Sequence, residues 1–181
     1  MRAIVCHEFG APLTLEEQPD PKPGPGQLLV DVAAAGLNYV DALFVRGEYQ
    51  IKPPLPFIPG SEIAGTVGAV GEGVDTFAPG DRVLAMTGMG GFAEQVLIAA
   101  AAAVRVPDAL SDGQAGALVQ SYSTALFALR ERGRLREGES LLVLGAAGGV
   151  GRAAIDVGKA LGVREGSARL DGLTEKRSAD D

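Results

Sequence analysis

A strand, a glycine-rich turn and a helix start follow one another in the second half of the chain. Residues 140–144 are a short apolar run, which predicts a buried parallel strand. Residues 150–161 carry apolar side chains at helical spacing. In such a unit, the first N–H groups of the helix and the positive end of its dipole converge on an anion. The segment therefore predicts a phosphate-binding turn.

The turn matches the dinucleotide fingerprint with Ala146 in the first glycine position. Gly148 would let the backbone approach a pyrophosphate, and Gly151 would allow close contact between helix and strand. A tight turn without a ligand is the alternative interpretation. A P-loop is excluded, because Arg152 and Ala153 stand where lysine and serine or threonine are required.

A second candidate region is polar and aromatic within an otherwise β-patterned first half. Asn38 and Tyr49 carry groups that could hydrogen-bond a planar ligand. The alternative is structural: Asn38 caps the following turn, and Asp41 pairs with a nearby arginine. The sequence alone leaves both interpretations open.

Composition excludes several classes of partner. The net charge of −7 and the lack of a basic run argue against nucleic acid and anionic membranes. No apolar run is long enough for a membrane span, and the first residues predict a strand and not a signal peptide. A single cysteine fits a reducing compartment, so we expect a cytoplasmic protein.

Short strands separated by Gly and Pro turns predict a small barrel or sandwich in the first half. The candidate strands are residues 2–6, 13–18, 27–35, 63–70, 82–86, 92–98 and 104–106, with one or two helical turns at 39–46. From Leu110 the period becomes helical, with Ser111 as N-cap, Gln114 as its capping-box partner, and a second helix at 123–132. We expect a domain boundary near residue 110.

Taken together, these motifs resemble the medium-chain dehydrogenase/reductase superfamily, and within it the zinc-free quinone oxidoreductases related to zeta-crystallin. The resemblance covers residues 1 to about 162. It is carried by Gly36-Leu37-Asn38-Tyr39-Val40-Asp41, Arg46-Gly47-Glu48-Tyr49, Pro56-Phe57-Ile58-Pro59-Gly60-Ser61-Glu62-Ile63-Ala64-Gly65, Val70-Gly71-Glu72-Gly73-Val74, Gly80-Asp81-Arg82-Val83, Gly91-Phe92-Ala93-Glu94 and residues 146–151.

The resemblance implies a mixed fold. A GroES-like, mainly-β barrel domain at residues 1–110 would be followed by the start of a Rossmann α/β nucleotide-binding domain at 111–162. By the same resemblance, Asn38 and Tyr49 lie near the nicotinamide of NADPH, and Thr124 lines the same cleft. The pyrophosphate would be held by the turn residues Gly148, Gly149, Val150 and Gly151.

Residue types also bear on metal chemistry. A catalytic zinc needs about three Cys, His or acidic ligands, and a structural zinc needs about four. The chain has one cysteine and one histidine, Cys6 and His7, which point to opposite faces of a predicted strand. The similar zinc alcohol dehydrogenases carry a cysteine where Asn38 stands and a histidine where Ser61 stands. We therefore expect no metal, and we expect His7 to be a surface residue.

Without a Lewis acid, the feasible chemistry is hydride transfer from NADPH to an electron-poor quinone or enone, with Asn38 and Tyr49 stabilising the developing oxyanion. The residues after Gly162 depart from the resemblance. We expect residues 163–181 to form a charged, disordered tail that replaces the next strand. The alternative function is a truncated, catalytically inactive fragment that acts at most as a folded β module. The resemblance favours a homodimer, and the sequence leaves this open.

Overall fold

The computed structural model describes residues 1–164 and 168–169. Its strands are β1 (Arg2–Val5), β2 (Thr14–Glu17), β3 (Gln27–Gly36), β4 (Glu62–Val70), β5 (Arg82–Met86), β6 (Gln95–Ala99), β7 (Ala103–Arg105), β8 (Val143–Leu144) and β9 (Ala168–Arg169). Its α-helices are α1 (Tyr39–Arg46), α2 (Asp112–Gly116), α3 (Val119–Leu126) and α4 (Gly149–Ala160). The chain forms two compact units, Met1–Gln120 and Ser121–Asp181, called here the β unit and the nucleotide unit.

The β unit is built on a five-stranded antiparallel sheet with the order β6-β3-β4-β5-β7, beside the antiparallel pair β1-β2. Alternate residues of the central strands point into one core, as a sheet with one covered face requires. The fully buried members of this core are Leu28, Val30, Ile63, Val67, Val83, Ala85, Val96 and Ile98. The mainly-β first half predicted from the turn pattern is therefore confirmed.

Helix α2 completes the β unit by packing on β3 and β4. Ala115 is fully buried and joins Ala64, Leu84 and Val106 in a second apolar cluster. At Gly116 the backbone comes so close to β3 that a Cβ would lie 2.9 Å from that of Ala34. Because of this packing, the β unit extends ten residues beyond the boundary predicted near residue 110.

The nucleotide unit contains α4 and the parallel pair β8-β9. Helix α3 runs directly into a π-helical segment at Phe127–Arg132, where the N–H of Gly133 donates to Ala128 O at 2.7 Å. The helix predicted at 123–132 therefore begins four residues earlier. Tyr122 links α3 to α4, since its hydroxyl donates to the Asp156 carboxylate at 2.7 Å.

One expectation for the end of the chain is corrected. The sequence predicted no strand after Gly162, yet β9 pairs in parallel with β8, with Val143 opposite Ala168 and Leu144 opposite Arg169. Ladder hydrogen bonds join backbone groups, so a strand this short needs no apolar pattern of its own. Residues 165–167 and 170–181 of the predicted disordered tail lie outside the described residues.

Candidate functional site

Asn38 lies where β3 gives way to α1. It occupies the N-cap position with extended dihedral angles, φ −112° and ψ 155°. Asp41, in the first turn, completes a capping box, because its Oδ2 accepts the backbone N–H of Asn38 at 2.8 Å. The helix predicted at 39–46 is confirmed at those bounds. The cap therefore fixes the backbone from which the Asn38 side chain projects.

The Asn38 side chain is half-buried and belongs to a polar cluster at the start of β4. Its Nδ2 donates to Glu62 Oε1 at 2.8 Å and lies 3.4 Å from Ser61 Oγ. The other carboxylate oxygen of Glu62, Oε2, accepts the backbone N–H of Gln120 at 2.9 Å. Glu62 is only 1% exposed. These contacts join β3, β4 and the end of the β unit through one carboxylate.

Glu62 was not predicted as a site residue. It was noted only as part of a family motif. The signal that could have found it is its place as a glutamate directly before the apolar run of β4. Strand pairing explains its position, since Gly36 and Glu62 are direct partners in the β3-β4 register. A Cβ at Gly36 would overlap the Glu62 carboxylate and would lie 2.5 Å from the carbonyl oxygen of Gly116. Gly36 thus makes the space that the carboxylate occupies.

The prediction that Asp41 pairs with a nearby arginine is wrong. Asp41 is 1% exposed and has no ion pair in the part of the chain that the structure describes. Its Oδ1 is buried without a hydrogen-bond partner there. Asp41 supports the start of α1 from within the fold and does not pair with an arginine.

Tyr49 follows the other end of α1. Gly47 ends the helix in the left-handed conformation, with φ 67°, and its N–H donates to Phe44 O at 3.0 Å. This reversal lays the half-buried Tyr49 ring against Phe44, with 4.7 Å between ring centroids. Asn38 and Tyr49 thus flank a helix about 12 Å long, and no hydrogen bond between them is found among the described residues.

In the nucleotide unit, the predicted turn leads from β8 into α4. Gly145 takes a left-handed φ of 68°, and its carbonyl oxygen accepts the N–H of Gly148 at 3.0 Å. Gly148 is the N-cap, and the N–H of Arg152 donates to its carbonyl oxygen at 2.9 Å. The N–H groups of Gly149, Val150 and Gly151 precede this bond, so they have no acceptor within the helix.

These amides suit an anion. Gly148, Gly149 and Val150 are exposed, so a phosphate can reach the helix end from solvent. Three N–H donors and the positive end of the helix dipole favour an anion, so the residues present would fit a diphosphate.

The two fingerprint glycines differ in the space around them. A Cβ on Gly151 would overlap the carbonyl oxygen of Gly145, an approach that no side chain tolerates. A Cβ on Gly148 would lie 3.4 Å from the same oxygen, which is ordinary contact. The close helix–strand approach predicted for Gly151 is therefore confirmed, and Gly148 is left as a position that faces solvent.

Thr124 is exposed on α3, one helical turn after Ser121. Ser121 lies beside the glycine-rich turn, because a Cβ on Gly149 would be 3.0 Å from Ser121 Oγ. Thr124 thus lies on about the same side of α3 as Ser121. Ser121 was not predicted from the sequence.

The side chains that could bind a metal ion are dispersed over the described part of the chain. Among residues 1–164 and 168–169, no three His, Cys, Asp or Glu side chains come together in a possible metal site. His7 is exposed and lies 2.6 Å from Glu16, as expected of a surface residue. Cys6 is buried, and its burial raises the pKa of the thiol.

Two grooves in the β unit lie apart from the polar cluster. One, of about 460 Å³, is lined by residues of β1, β3 and the segment Gly91 to Glu94. The other, of about 430 Å³, lies between His7 and the proline-rich loop that contains Pro54 and Pro56. Neither is lined by Asn38, Glu62 or Tyr49. The described helices also include none that is long and apolar enough to cross a membrane.

Comparison with known proteins identifies the class. Residues 24–108 match the alcohol dehydrogenase GroES-like domain. The chain is 43% identical to quinone oxidoreductase-like protein 2 of Rattus norvegicus over 86% of its own length and 45% of the relative. It is 44% identical to the quinone oxidoreductase of the same organism, over 91% of this chain and 51% of the relative.

A solved structure agrees with these matches. The quinone oxidoreductase of Thermus thermophilus, which was also crystallised with NADPH, superposes with a TM-score of 0.83 at 38% identity. The superposition covers 93% of this chain and 52% of that one. The fold is thus the GroES-like, sheet-rich first part of such proteins. The chain is thus similar to quinone oxidoreductases of the medium-chain dehydrogenase/reductase superfamily over most of its own length, and it spans about half the length of the relatives it matches.

Proposed function

We propose that this chain contributes to an NADPH-dependent quinone or enone oxidoreductase. The observation that carries the proposal is the start of α4, where the N–H groups of three consecutive residues lack acceptors within the helix. The third of these residues, Gly151, has no room for a side chain. Relatives named as quinone oxidoreductases support the reaction class. The known structure with NADPH supports the cofactor.

Each site residue has a proposed task. Gly148, Gly149, Val150 and Gly151 hold the cofactor diphosphate through backbone amides, and Thr124 lines the cofactor cleft. NADPH, when bound, supplies the hydride. Asn38 and Tyr49 border the nicotinamide, and the Tyr49 hydroxyl donates a hydrogen bond to the acceptor oxygen as negative charge develops there.

We also propose that the reaction proceeds without zinc. The basis is donor chemistry: the chain has one cysteine and one histidine, and Cys6 is buried while His7 contacts Glu16. A cytoplasmic location and a homodimer remain proposals. The first rests on the single cysteine, and the second rests on the family.

The first test is cofactor binding by Gly148 variants. Gly148→Asp places a carboxylate where the phosphate should lie, so NADPH affinity measured by fluorescence should fall by about tenfold or more. Gly148→Ala is the matched control, because its Cβ has room. It should change affinity by less than about threefold. Equal weakening by both variants would contradict the anion site.

The alternative function, an inactive β module, is favoured by the distribution of the core. The large buried apolar side chains belong to the β unit, whereas the described part of the nucleotide unit buries Ala125, Ala146 and Ala153. NADPH consumption with a simple naphthoquinone discriminates the two functions. If the purified chain neither binds nor oxidises NADPH, the inactive module is the correct description.

A further inference from the structure

We propose that Glu62 is a positioning residue, which orients the Asn38 amide so that its carbonyl oxygen, Oδ1, is the group offered to a ligand. Asn38 then recognises a hydrogen-bond donor and does not stabilise an oxyanion. The orientation follows from the β unit alone. The identity of the ligand rests on the proposed function.

The first step is the chemistry of the pair. A carboxylate accepts hydrogen bonds and an amide nitrogen donates them, so the NH2 end of Asn38 must face Glu62. The structure has this arrangement, with 2.8 Å between Nδ2 and Oε1, and the second N–H lies toward Ser61 Oγ at 3.4 Å. Because the amide is planar, Oδ1 points away from Glu62. The capping box directs Oδ1 toward the N–H of Asp41, which takes up one of its two lone pairs and leaves the other able to accept from a ligand.

The second step is the rigidity of Glu62. Its other oxygen accepts the N–H of Gln120 at 2.9 Å, so rotation of the carboxylate would break two bonds at once. The carboxylate also packs so closely on Gly36 that a methyl group at Gly36 would have no room between it and the carbonyl oxygen of Gly116. The carboxylate therefore holds Asn38 in one orientation.

The third step is the energetic cost of this arrangement. Glu62 is 1% exposed, and none of the ion pairs among the described residues includes it. A buried carboxylate that is held only by neutral donors destabilises a fold relative to an apolar side chain of similar size. The contacts to Asn38 and Gln120 offset part of this cost, and a role in orienting Asn38 is a reason to keep a carboxylate here.

The consequence concerns which molecule Asn38 contacts. Quinone oxygens only accept hydrogen bonds, whereas NADPH has donors in its carboxamide and its ribose hydroxyls. Asn38 therefore contacts the cofactor, and the Tyr49 hydroxyl remains the donor for the quinone oxygen. The oxyanion role predicted for Asn38 is replaced by one in cofactor placement.

The orientation is tested by hydrogen exchange of side-chain amides in the isotope-labelled full chain, compared with Glu62→Met and Glu62→Gln. In Glu62→Met, the Asn38 NH2 protons should exchange about tenfold faster or more, because a bond to a charged acceptor is lost. In Glu62→Gln, one amide oxygen cannot serve both donors, so protection should fall at Asn38 or at the N–H of Gln120. Gln95 is the internal control, because it donates to Asp31 at 2.8 Å on the exposed surface and should not change.

The ligand is tested with Asn38→Ala. NADPH dissociation constants should rise by about three- to tenfold, and the KM for naphthoquinone should change by less than about twofold. Unchanged Asn38 protection in both Glu62 variants, or a raised quinone KM with unchanged NADPH affinity, would overturn the inference. If the Asn38 NH2 protons lose protection in the Glu62 variants but the parent chain never binds NADPH, the orientation is established and the proposed function is contradicted.

Discussion

Asn38 and Glu62 illustrate what residue types alone can and cannot locate. Asn38 stood out because a polar side chain follows an apolar strand and opens a helix, which is a local signal. Glu62 is 24 residues away in sequence, and its contact with Asn38 exists only because β3 and β4 pair with Gly36 opposite Glu62. The amide orientation could not be predicted, because it depends on a register that the sequence does not display.

Gly151 should be intolerant of substitution where Gly148 is tolerant. In Gly151→Ala, the new methyl group would meet the carbonyl oxygen of Gly145, which belongs to backbone that cannot easily move. We expect a loss of about 1–3 kcal/mol in the free energy of unfolding, although alanine favours helix. Urea unfolding followed through the α4 amide signals measures it.

Gly148→Ala is the matched control for that experiment, and its unfolding should shift by less than about 1 kcal/mol. Similar losses in both variants would mean that the contact at Gly151 is not what restricts this turn.

Gly36 is the second glycine that must lack a side chain. In Gly36→Ala, the Cβ would collide with Glu62 and with the carbonyl oxygen of Gly116, so α2 must separate from β3. We expect a destabilisation of about 1–3 kcal/mol or more, together with faster exchange of the Asn38 NH2 protons. Gly113→Ala lies in the same helix with open space around it, so its urea midpoint should stay within experimental error or rise.

Secondary-structure elements were predicted more completely than the site. The seven predicted strands of the first half are present, and their ends differ by three residues or fewer. The largest difference is at β6, which begins at Gln95 and not at Phe92. Phe92 instead bonds with its N–H to Pro59 O at 2.9 Å and with its carbonyl oxygen to the N–H of Ile4 at 2.8 Å. Periodicity finds a strand, but long-range partners decide where its ladder begins.

Helix α2 owes its start to a capping box that the sequence signalled. Ser111 Oγ accepts the N–H of Gln114 at 3.3 Å, and the Gln114 side chain accepts the N–H of Ser111 at 3.0 Å. Ser111→Ala should therefore lower the free energy of unfolding by about 1 kcal/mol in urea titrations. Ser123→Ala, at an exposed interior position of α3, should change it by a few tenths of a kcal/mol at most, in either direction. A larger effect at Ser123 would contradict the role assigned to the cap.

For the whole molecule, the β unit sets where the chain can be divided. The stretch between residues 110 and 120 contributes Ala115 to a buried cluster and the Gln120 N–H to Glu62. A polypeptide of residues 1–120 should keep the protected amides of the full chain in hydrogen exchange, whereas residues 1–110 should be markedly less stable in urea. Equal stability of the two polypeptides would show that α2 adds nothing to the β unit.

Acid should destabilise the β unit through two surface ion pairs. The Arg105 side chain and the Ala78 N–H hold the pKa of Asp81 below 3.8, and the Arg2 backbone N–H and guanidinium hold that of Glu94 below 4.5. Both carboxylates have a lower pKa in the folded chain than in the unfolded chain. Their contribution to stability is therefore complete above the unfolded pKa and is lost as the pH falls through the folded pKa. The thermal midpoint should therefore decline below about pH 4.5.

Substitution tests the assignment of that decline. Glu94→Gln removes the whole contribution of this carboxylate, whereas Arg2→Gln removes the guanidinium and keeps the backbone N–H that also bonds Glu94. Both variants should make the thermal midpoint less dependent on pH, and Glu94→Gln should have the larger effect. If Arg2→Gln leaves the slope of the parent chain intact, the Arg2–Glu94 pair is not its source.

Cys6 has a consequence for the chemistry proposed above. Quinones are electrophiles that alkylate thiolates, so an enzyme that handles them risks modifying itself. The one sulfhydryl of this chain lies within β-bridge backbone contacts to Phe57, and burial raises its pKa, so little thiolate is present or reachable. Under the proposed function, the folded β unit therefore presents no reachable thiol for a quinone to alkylate. Covalent adducts at Cys6 would mark only molecules that had opened.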